Sequence, residues 1–214
     1  MLTFNSSCFT LLFNSCQEKF FEKGEKMQIT IEATTLQRLS HLPFLKIEIK
    51  NSKGYLIGTD CTVGCVEYLG ELDHADDSCY LKLNVDKVKD EADFGGTFTF
   101  ETLPELAMGT VNATSGQNCN DFIVWPDESP VDKWREWFKM SDESKGFIYC
   151  ELPQLITLWE ASPSGDIVFP EVINADDPVI VRDVNSDNWI GVFIPVIDSK
   201  AILKPAILPE WINE

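Results

Sequence analysis

The stretch PVIVRDVNSDNWIGVFIPVID, residues 178–198, predicts two apolar strands joined by a polar turn. Its two apolar halves are rich in the β-branched residues typical of strands, and the segment DVNSDN between them is typical of a turn. Pro195 interrupts the second strand. Because proline has no backbone donor, a sheet tolerates it mainly at an edge, a strand end or a bulge. We therefore expect this strand to border a binding surface.

Similar alternation upstream predicts further strands, with short helices between them. MQITIEATT, from Met27, alternates like a strand, and TTLQRLSHL can form a short helix. FLKIEIKNSKGYLIGTD predicts a hairpin, and CTVGCVEYLG extends the same sheet. CYLKLNVDKVKDEADF predicts a strand that leads into a second short helix. This order of elements predicts an α+β fold.

The segment SPVDKWREWFKM predicts a third helix, next to a connector. Ser129 can cap it and Pro130 can occupy its first position, while Val131, Trp134 and Phe138 form an apolar stripe. GFIYCELPQLITLWEASPSGDIVFPEV then predicts a strand, a short helix and another strand. The prolines around this connector restrict the backbone and mark the expected domain boundary.

The predicted organisation has a domain at 27–125, a linker and helix at 126–140, a partial domain at 141–198 and a tail at 199–214. Residues 1–26 contain a weak apolar stretch without the preceding basic residue that a signal peptide requires. Gly24-Glu25 corresponds to purine-rich codons shortly before Met27, where a prokaryotic ribosome-binding site would lie. We therefore predict that translation starts at Met27, so that 1–26 is a non-native or disordered extension. Detection of native peptides from 1–26 would contradict this.

The composition narrows the classes of function. With 17 basic and 35 acidic residues, the 214-residue chain has a formal net charge of −18. This charge repels nucleic acid on average and excludes a protein that coats DNA with its whole surface, although a local basic face remains compatible with it. No apolar run approaches the roughly 20 residues of a membrane helix, so we expect no membrane association. The seven cysteines have neither zinc-ribbon spacing nor a disulfide framework, which indicates reduced thiols and a cytoplasmic location.

The second half of the chain resembles the C-terminal part of a bacterial sliding clamp, the beta subunit of DNA polymerase III. The matching features are Phe147 to Cys150, Leu152 to Ala161, Gly165-Asp166-Ile167-Val168, Asp177 to Arg182, Asp187-Asn188-Trp189 and Val192 to Val196. Upstream, Thr59-Asp60 matches the Thr-Asp of the clamp segment Ala-Thr-Asp-Gly-His-Arg-Leu-Ala, while Cys61, Thr62 and Val63 replace Gly-His-Arg. WPDESPVDKWREWF is similar to an enlarged Phe-Pro-Asp-Tyr interdomain linker.

The resemblance implies a DNA-clamp-like α+β fold of antiparallel sheets with a few short helices packed on one face. It also implies a processivity factor with no catalytic residue, cofactor or metal. We expect a phage or mobile element to encode the protein. Its partners would be duplex DNA, held without sequence specificity, and the peptides of DNA polymerase and other clamp-binding proteins. Several chains would close a homo-oligomeric ring. Two alternatives remain open: a clamp-fold module that binds replication proteins without encircling DNA, and an enzyme on an unrelated mixed fold.

A clamp needs cationic helices that face the phosphates. The candidate DNA-facing residues are Arg38, Lys87, Lys89, Lys133, Arg135 and Lys139. The alternative is that these are the ordinary solvated faces of amphipathic helices.

In clamps the closing strand, the Thr-Asp segment and the interdomain linker form an apolar pocket for partner peptides. Carried over to this sequence, the candidate peptide-binding residues are Thr59, Val63, Val179, Val181, Ile194, Pro195 and Val196. The alternative is a buried sheet with a bulge at Pro195. The tail after Asp198 either lies across this pocket or packs elsewhere.

Three other patterns are open to a functional and a structural interpretation, and the structural one is favoured. His74, Asp76, Asp77 and Cys79 could hold a metal, but an acidic surface loop is the better interpretation. KWREWFK, 133–139, could stack single-stranded bases, although an amphipathic helix with aromatic core residues is commoner. QLITLW, 154–159, is similar to the Gln-Leu-x-Leu-Phe peptides that bind clamps, and we interpret it as a clamp helix.

Overall fold

The computed structural model describes residues 27–103, 106–138, 151–168 and 178–193. Its strands are β1 (Met27–Glu32), β2 (Phe44–Lys50), β3 (Lys53–Thr59), β4 (Val63–Glu71), β5 (Asp77–Leu81), β6 (Thr97–Leu103), β7 (Met108–Ala113), β8 (Ile123–Val124), β9 (Ile167–Val168), β10 (Val179–Asp183) and β11 (Trp189–Phe193). The α-helices are α1 (Ala33–Leu39), α2 (Val85–Asp93) and α3 (Leu152–Ala161), and 3-10 turns span Asn120–Phe122 and Pro130–Phe138. The extension 1–26, the strand at 147–150 and the tail at 199–214 lie outside the described residues.

The described strands form two antiparallel sheets. The small sheet has the order β1-β6-β7, and the large sheet has the order β8-β5-β2-β3-β4-β11-β10-β9. β4 pairs with β11, so strands from both halves of the chain share the large sheet. The α+β fold of antiparallel sheets is confirmed, whereas the domain boundaries remain a prediction. No helix of the described residues is long and apolar enough to cross a membrane.

The hairpin of β2 and β3 follows from its sequence. Lys50 lies opposite Lys53, and the two residues between them, Asn51 and Ser52, have φ values of 52° and 60°. Two successive left-handed residues form the type of turn whose twist matches that of the strands. The Asn51 amide also donates to the Asp76 carboxylate at 2.6 Å. The turn therefore fixes the register of the predicted hairpin.

The two faces of the large sheet are covered differently. On the side we call the helix face, Leu56, Cys65 and Val181 join a core shared with the α-helices and the small sheet. On the opposite side, the connector face, Ile57 and Val66 pack against the 3-10 segment Pro130–Phe138. The α-helices therefore pack on one face, as predicted, and the connector covers part of the other.

Local signals explain where α2 and α3 begin. The side chain of Asn84 accepts the Lys87 amide at the start of α2. Glu151 and Gln154 form a capping box at the start of α3. Both arrangements satisfy amides that the first turn of a helix leaves unpaired.

The connector differs from the single capped helix that its sequence predicts. Pro130–Phe138 is a 3-10 segment that breaks at Lys133, where φ is −99° and ψ is 18°. At its start the Ser129 amide donates to the Asp132 carboxylate at 3.2 Å. Val131 and Trp134 are buried, as the predicted apolar stripe requires.

Charged side chains hold the connector on the sheet. Lys46, only 6% exposed, lies 2.9 Å from Asp132 and 3.2 Å from Glu48. The Tyr80 hydroxyl donates to the same Asp132 oxygen at 2.6 Å, and Arg135 lies 2.5 Å from Glu48. This network pairs the buried charges, because an unpaired one would carry a large desolvation cost.

Candidate peptide-binding site and charged surfaces

A small cavity lies on the connector face where β3, β4, β11 and the connector meet. Its volume is about 150 Å³, and it is lined by Thr59, Cys61, Thr62, Val63, Gly64, Pro130, Trp137 and Val192. These residues belong to the Thr-Asp segment, the enlarged linker and the closing strand. The structure thus brings together the three segments that the resemblance to clamps implies for a peptide pocket.

Asp60 organises the turn at the edge of this cavity. Its carboxylate accepts the Thr62 amide, the Thr62 hydroxyl and the Val63 amide, each at 2.8 Å. Partial burial alone would raise the pKa of Asp60, but these hydrogen bonds outweigh it and the pKa is lowered. The Thr59 hydroxyl also donates to the Val63 carbonyl. The wall that β3 and β4 contribute is therefore held in one conformation.

Gly64 allows the connector to approach the sheet closely. A Cβ atom on Gly64 would lie only 2.5 Å from Cζ3 of Trp137. Only the absence of a side chain lets the indole lie flat against β4. Trp137 itself is partly exposed, so its ring forms an accessible wall of the cavity.

The predicted peptide-binding residues divide into three groups. Thr59 and Val63 border the cavity, and each is only 3% exposed, but the Val63 side chain belongs to the core on the helix face. Val179 and Val181 do not line it: they are 1% and 0% exposed and belong to the core on the helix face. The remaining candidates, Ile194, Pro195 and Val196, lie outside the described residues.

The position of Val179 and Val181 follows from the strand register. Val181 lies opposite Gly191, whereas the cavity residue Val192 lies one position further along β11 and opposite Gly64. Successive side chains of a strand point to opposite faces. Six residues that line the cavity are not among the predicted ones: Cys61, Thr62, Gly64, Pro130, Trp137 and Val192. Trp137 had a usable signal, since it lies in the KWREWFK segment but outside the apolar stripe of the predicted helix.

Three larger depressions lie elsewhere on the described part of the chain, and one of them, of about 210 Å³, lies between the end of β6 and the start of β7. One of about 480 Å³ is lined by the loop before β2, the end of β5 and residues 124–129. Another of about 480 Å³ lies on the connector face beside Tyr55, Tyr68 and Trp134. None of the three includes a predicted peptide-binding residue, so the smaller cavity remains the candidate site.

The candidate DNA-facing cations on α1 and α2 are largely paired. Nη2 of Arg38 lies 2.9 Å and 2.8 Å from the two carboxylate oxygens of Glu67. Burial raises the pKa of Glu67, and the Arg38 charge only partly offsets that effect. Lys87 donates to the Asn118 carbonyl at 2.8 Å and lies 3.1 Å from Asp121. Lys89 is exposed.

The remaining cations lie on the other side of the large sheet. Lys133 is exposed on the connector, and the Arg135 guanidinium lies 4.1 Å from the centre of the Trp134 ring. Lys139 lies outside the described residues. Since α1 and α2 pack on the helix side and the connector covers the opposite face, the candidate cations do not share one surface.

The structure also places the candidate metal-binding group around Asp76 and the QLITLW segment. Asp76 forms an ion pair with Lys50, and Cys79 is fully buried in the core. The described residues contain no cluster of His, Cys, Asp and Glu side chains that could hold a metal ion. The QLITLW segment lies within α3, where Gln154 and Leu158 are buried, so it is part of a packed helix.

Comparison with known proteins identifies the fold. No protein-family model and no curated protein matches the chain. A DNA polymerase III beta subunit from Thermotoga maritima superposes with a TM-score of 0.50 and 9% identity, over 80% of this chain and 65% of that one. A DNA polymerase sliding clamp from Pseudomonas aeruginosa, solved with a ligand, gives a TM-score of 0.50 and 11% identity, over 80% and 66%. The chain thus matches slightly less than two thirds of the length of these clamps. It has the fold of the DNA polymerase III beta subunit, the bacterial sliding clamp, in a divergent form.

Proposed function

We propose that this protein is a sliding-clamp-like processivity factor that captures short peptides of DNA polymerase and other replication proteins in the cavity beside Trp137. The observation that carries this proposal is the meeting of the Thr-Asp segment, the connector and the closing strand around that cavity. The clamp fold supports it. The proposal assigns no catalytic residue and no cofactor.

The size and lining of the cavity suit a peptide anchor. Its volume of about 150 Å³ is below the roughly 300 Å³ at which small-molecule sites begin. Pro130, Trp137 and Val192 give it apolar walls. An apolar side chain of an extended peptide would fill it, and main-chain hydrogen bonds would hold the rest of the peptide.

Peptide capture can be tested with a labelled peptide Gln-Leu-Asp-Leu-Phe in fluorescence anisotropy. We expect Trp137→Ala to weaken binding about tenfold or more, because the variant loses one apolar wall. Thr62→Trp, at the exposed rim, should also block the cavity. Phe94→Ala is the matched control, since Phe94 is 86% exposed and remote from the site. Equal binding by all four proteins would refute the proposed site.

The DNA part of the proposal requires a closed ring. We expect the native protein to be a homo-oligomer in solution and to be retained on circular duplex DNA but lost when that DNA is linearised. Solution mass combined with a bead-retention assay measures both properties. No retention on either form of DNA would exclude encirclement.

A second candidate function is a clamp-fold module that binds replication proteins without encircling DNA. The charges of α1 and α2 favour it. Arg38 already pairs with Glu67, and α2 exposes Asp86, Asp90 and Asp93, all of which repel phosphates. A monomer or dimer that binds the peptide but is not retained on circular DNA would support this candidate.

A further inference from the structure

Helix α3 exposes an apolar stripe. Leu152, Ile156 and Trp159 are 67%, 44% and 54% exposed. Their spacing of four and three residues places them on one side of the helix. Large apolar side chains that are exposed together, rather than singly, mark an interaction surface. We call these three residues the α3 stripe.

The side of α3 opposite the stripe is packed against the protein. Gln154, Leu158 and Ala161 are buried on the other side of α3 and fix the rotation of the helix. The Trp159 indole lies close to Gly165, where an added Cβ would be 3.2 Å from Nε1. Gly165 has a φ of 74°, a conformation that glycine adopts without strain. A large aromatic side chain held in place in this way is typical of an interface anchor.

The charges on α3 and on the described loop after it are all negative. Glu151, Glu160 and Asp166 are exposed, and residues 151–168 contain no lysine or arginine. The neighbouring helix α1 carries Arg38, whose charge is paired with Glu67. The whole chain carries a formal charge of −18. Carboxylates beside an apolar stripe repel phosphates, and they also disfavour pairing with a second copy of this acidic chain. They complement a basic partner.

We propose that the α3 stripe docks an amphipathic helix of a partner protein, one with apolar residues at positions i, i+4 and i+7 and lysines or arginines on its flanks. Helix on helix is the packing that an apolar helical stripe permits, and the basic flanks would pair with the surrounding carboxylates. This surface is separate from the peptide cavity. α3 packs on the helix face of the large sheet: Leu158 lies so close to Gly191 that a Cβ atom there would be only 2.8 Å away. The cavity lies on the connector face, on the other side of the same sheet.

The test uses a labelled helical peptide of about 18 residues, built from leucine, alanine and lysine with leucines in one stripe and lysines beside it. A scrambled peptide of the same composition is the probe control. Fluorescence anisotropy at physiological ionic strength should show binding of the amphipathic peptide and at least about tenfold weaker binding of the scrambled one.

The double variant Ile156→Ser/Trp159→Ser should lose at least about tenfold in affinity, while its circular dichroism spectrum stays that of the native protein. Met108→Ser, at a residue that is 58% exposed on β7 of the small sheet, should bind like the native chain. Trp137→Ala should also bind the helical peptide normally. The docking proposal can therefore fail while the proposed peptide site beside Trp137 stands, and the reverse is also possible. Equal binding of both peptides, or unchanged affinity of the double variant, would overturn the proposal. A native dimer that the double variant dissociates would assign the stripe to a second copy and would also overturn it.

Discussion

Replacing Asp183, at the end of β10, should lower the stability of the fold with little change in side-chain shape. Only 5% exposed, its carboxylate accepts the Ser162 hydroxyl, the Ser164 amide at 2.8 Å, the Ser164 hydroxyl at 2.9 Å and the Asn185 amide at 2.8 Å. These bonds tie the loop after α3 to the turn between β10 and β11. The carboxylate therefore adds to the links that Asp166 makes between the same two segments, where its carbonyl accepts the Val184 amide at 2.8 Å and its carboxylate accepts the Asn185 side chain at 3.2 Å.

The magnitude follows from those bonds. A hydrogen bond to a charged group contributes about 1.5–3 kcal/mol, and a buried donor left unpaired costs about 1–3 kcal/mol. Water near the surface can replace some of the lost partners, so we expect Asp183→Ala to lower the free energy of unfolding by about 3 kcal/mol. Asp183→Asn keeps the shape and one acceptor, and it should lose about half as much. Asp187→Ala, an exposed acid in the same turn, should stay within about 0.5 kcal/mol of the native protein.

The stability difference between the native protein and Asp183→Ala should become smaller as the pH falls. Burial would raise the pKa of Asp183, but the hydrogen bonds from Ser162, Ser164 and Asn185 outweigh it, so the pKa lies below its ordinary value. A lowered folded-state pKa stabilises the protein above the unfolded pKa of about 4, and this contribution fades as the pH falls through the folded value. Urea unfolding followed by circular dichroism between neutral and acid pH measures it. If Asp183→Ala matched Asp187→Ala at neutral pH, or if the gap persisted unchanged well below about pH 4, the reasoning would be wrong.

Two further predictions concern buried groups. Arg38→Gln leaves the partly buried Glu67 carboxylate, whose side chain is 14% exposed, without a counter-ion, and it should lower the free energy of unfolding by about 1–3 kcal/mol. Arg38→Met combined with Glu67→Leu should recover most of it in thermal unfolding, and an unaltered single variant would contradict the pairing. Burial raises the pKa of the Cys65 thiol to about 12, whereas Cys61 is exposed. Iodoacetamide at mildly alkaline pH should therefore alkylate Cys61 on the order of a hundredfold faster in the native protein, as peptide mass spectrometry would show, and comparable rates would contradict the burial.

The strands were predictable because their patterns are local. The alternation of Leu45, Ile47 and Ile49 and the turn at Asn51 required no knowledge of the rest of the chain, and both are confirmed. The 3-10 geometry of Pro130–Phe138 was not predictable. An apolar stripe, a proline at the first position and a polar residue before it are common to both kinds of helix.

The site was less predictable than the fold, because it depends on long-range pairing. The side to which Val181 points is known only once β11 is placed beside β4. The polar positions of β2 show the same limit: Glu48 is 8% exposed because the connector lies over it. A charged residue in an alternating strand is normally solvated, and nothing local to β2 indicates the cover.

Because β4 and β11 pair with each other, a molecule bound in the cavity beside Trp137 would contact both halves of the chain. Gly64 and Val192 face each other across these two strands and both line the cavity. Any occupant would touch both halves at once, so its binding energy would also oppose their separation. At a concentration a hundred times its Kd, such an occupant adds about 2.7 kcal/mol to the stability of the bound form. The amide hydrogens of β4 and β11 would then exchange more slowly. Their exchange rates would therefore report whether the cavity is occupied, without an assay that needs DNA or polymerase.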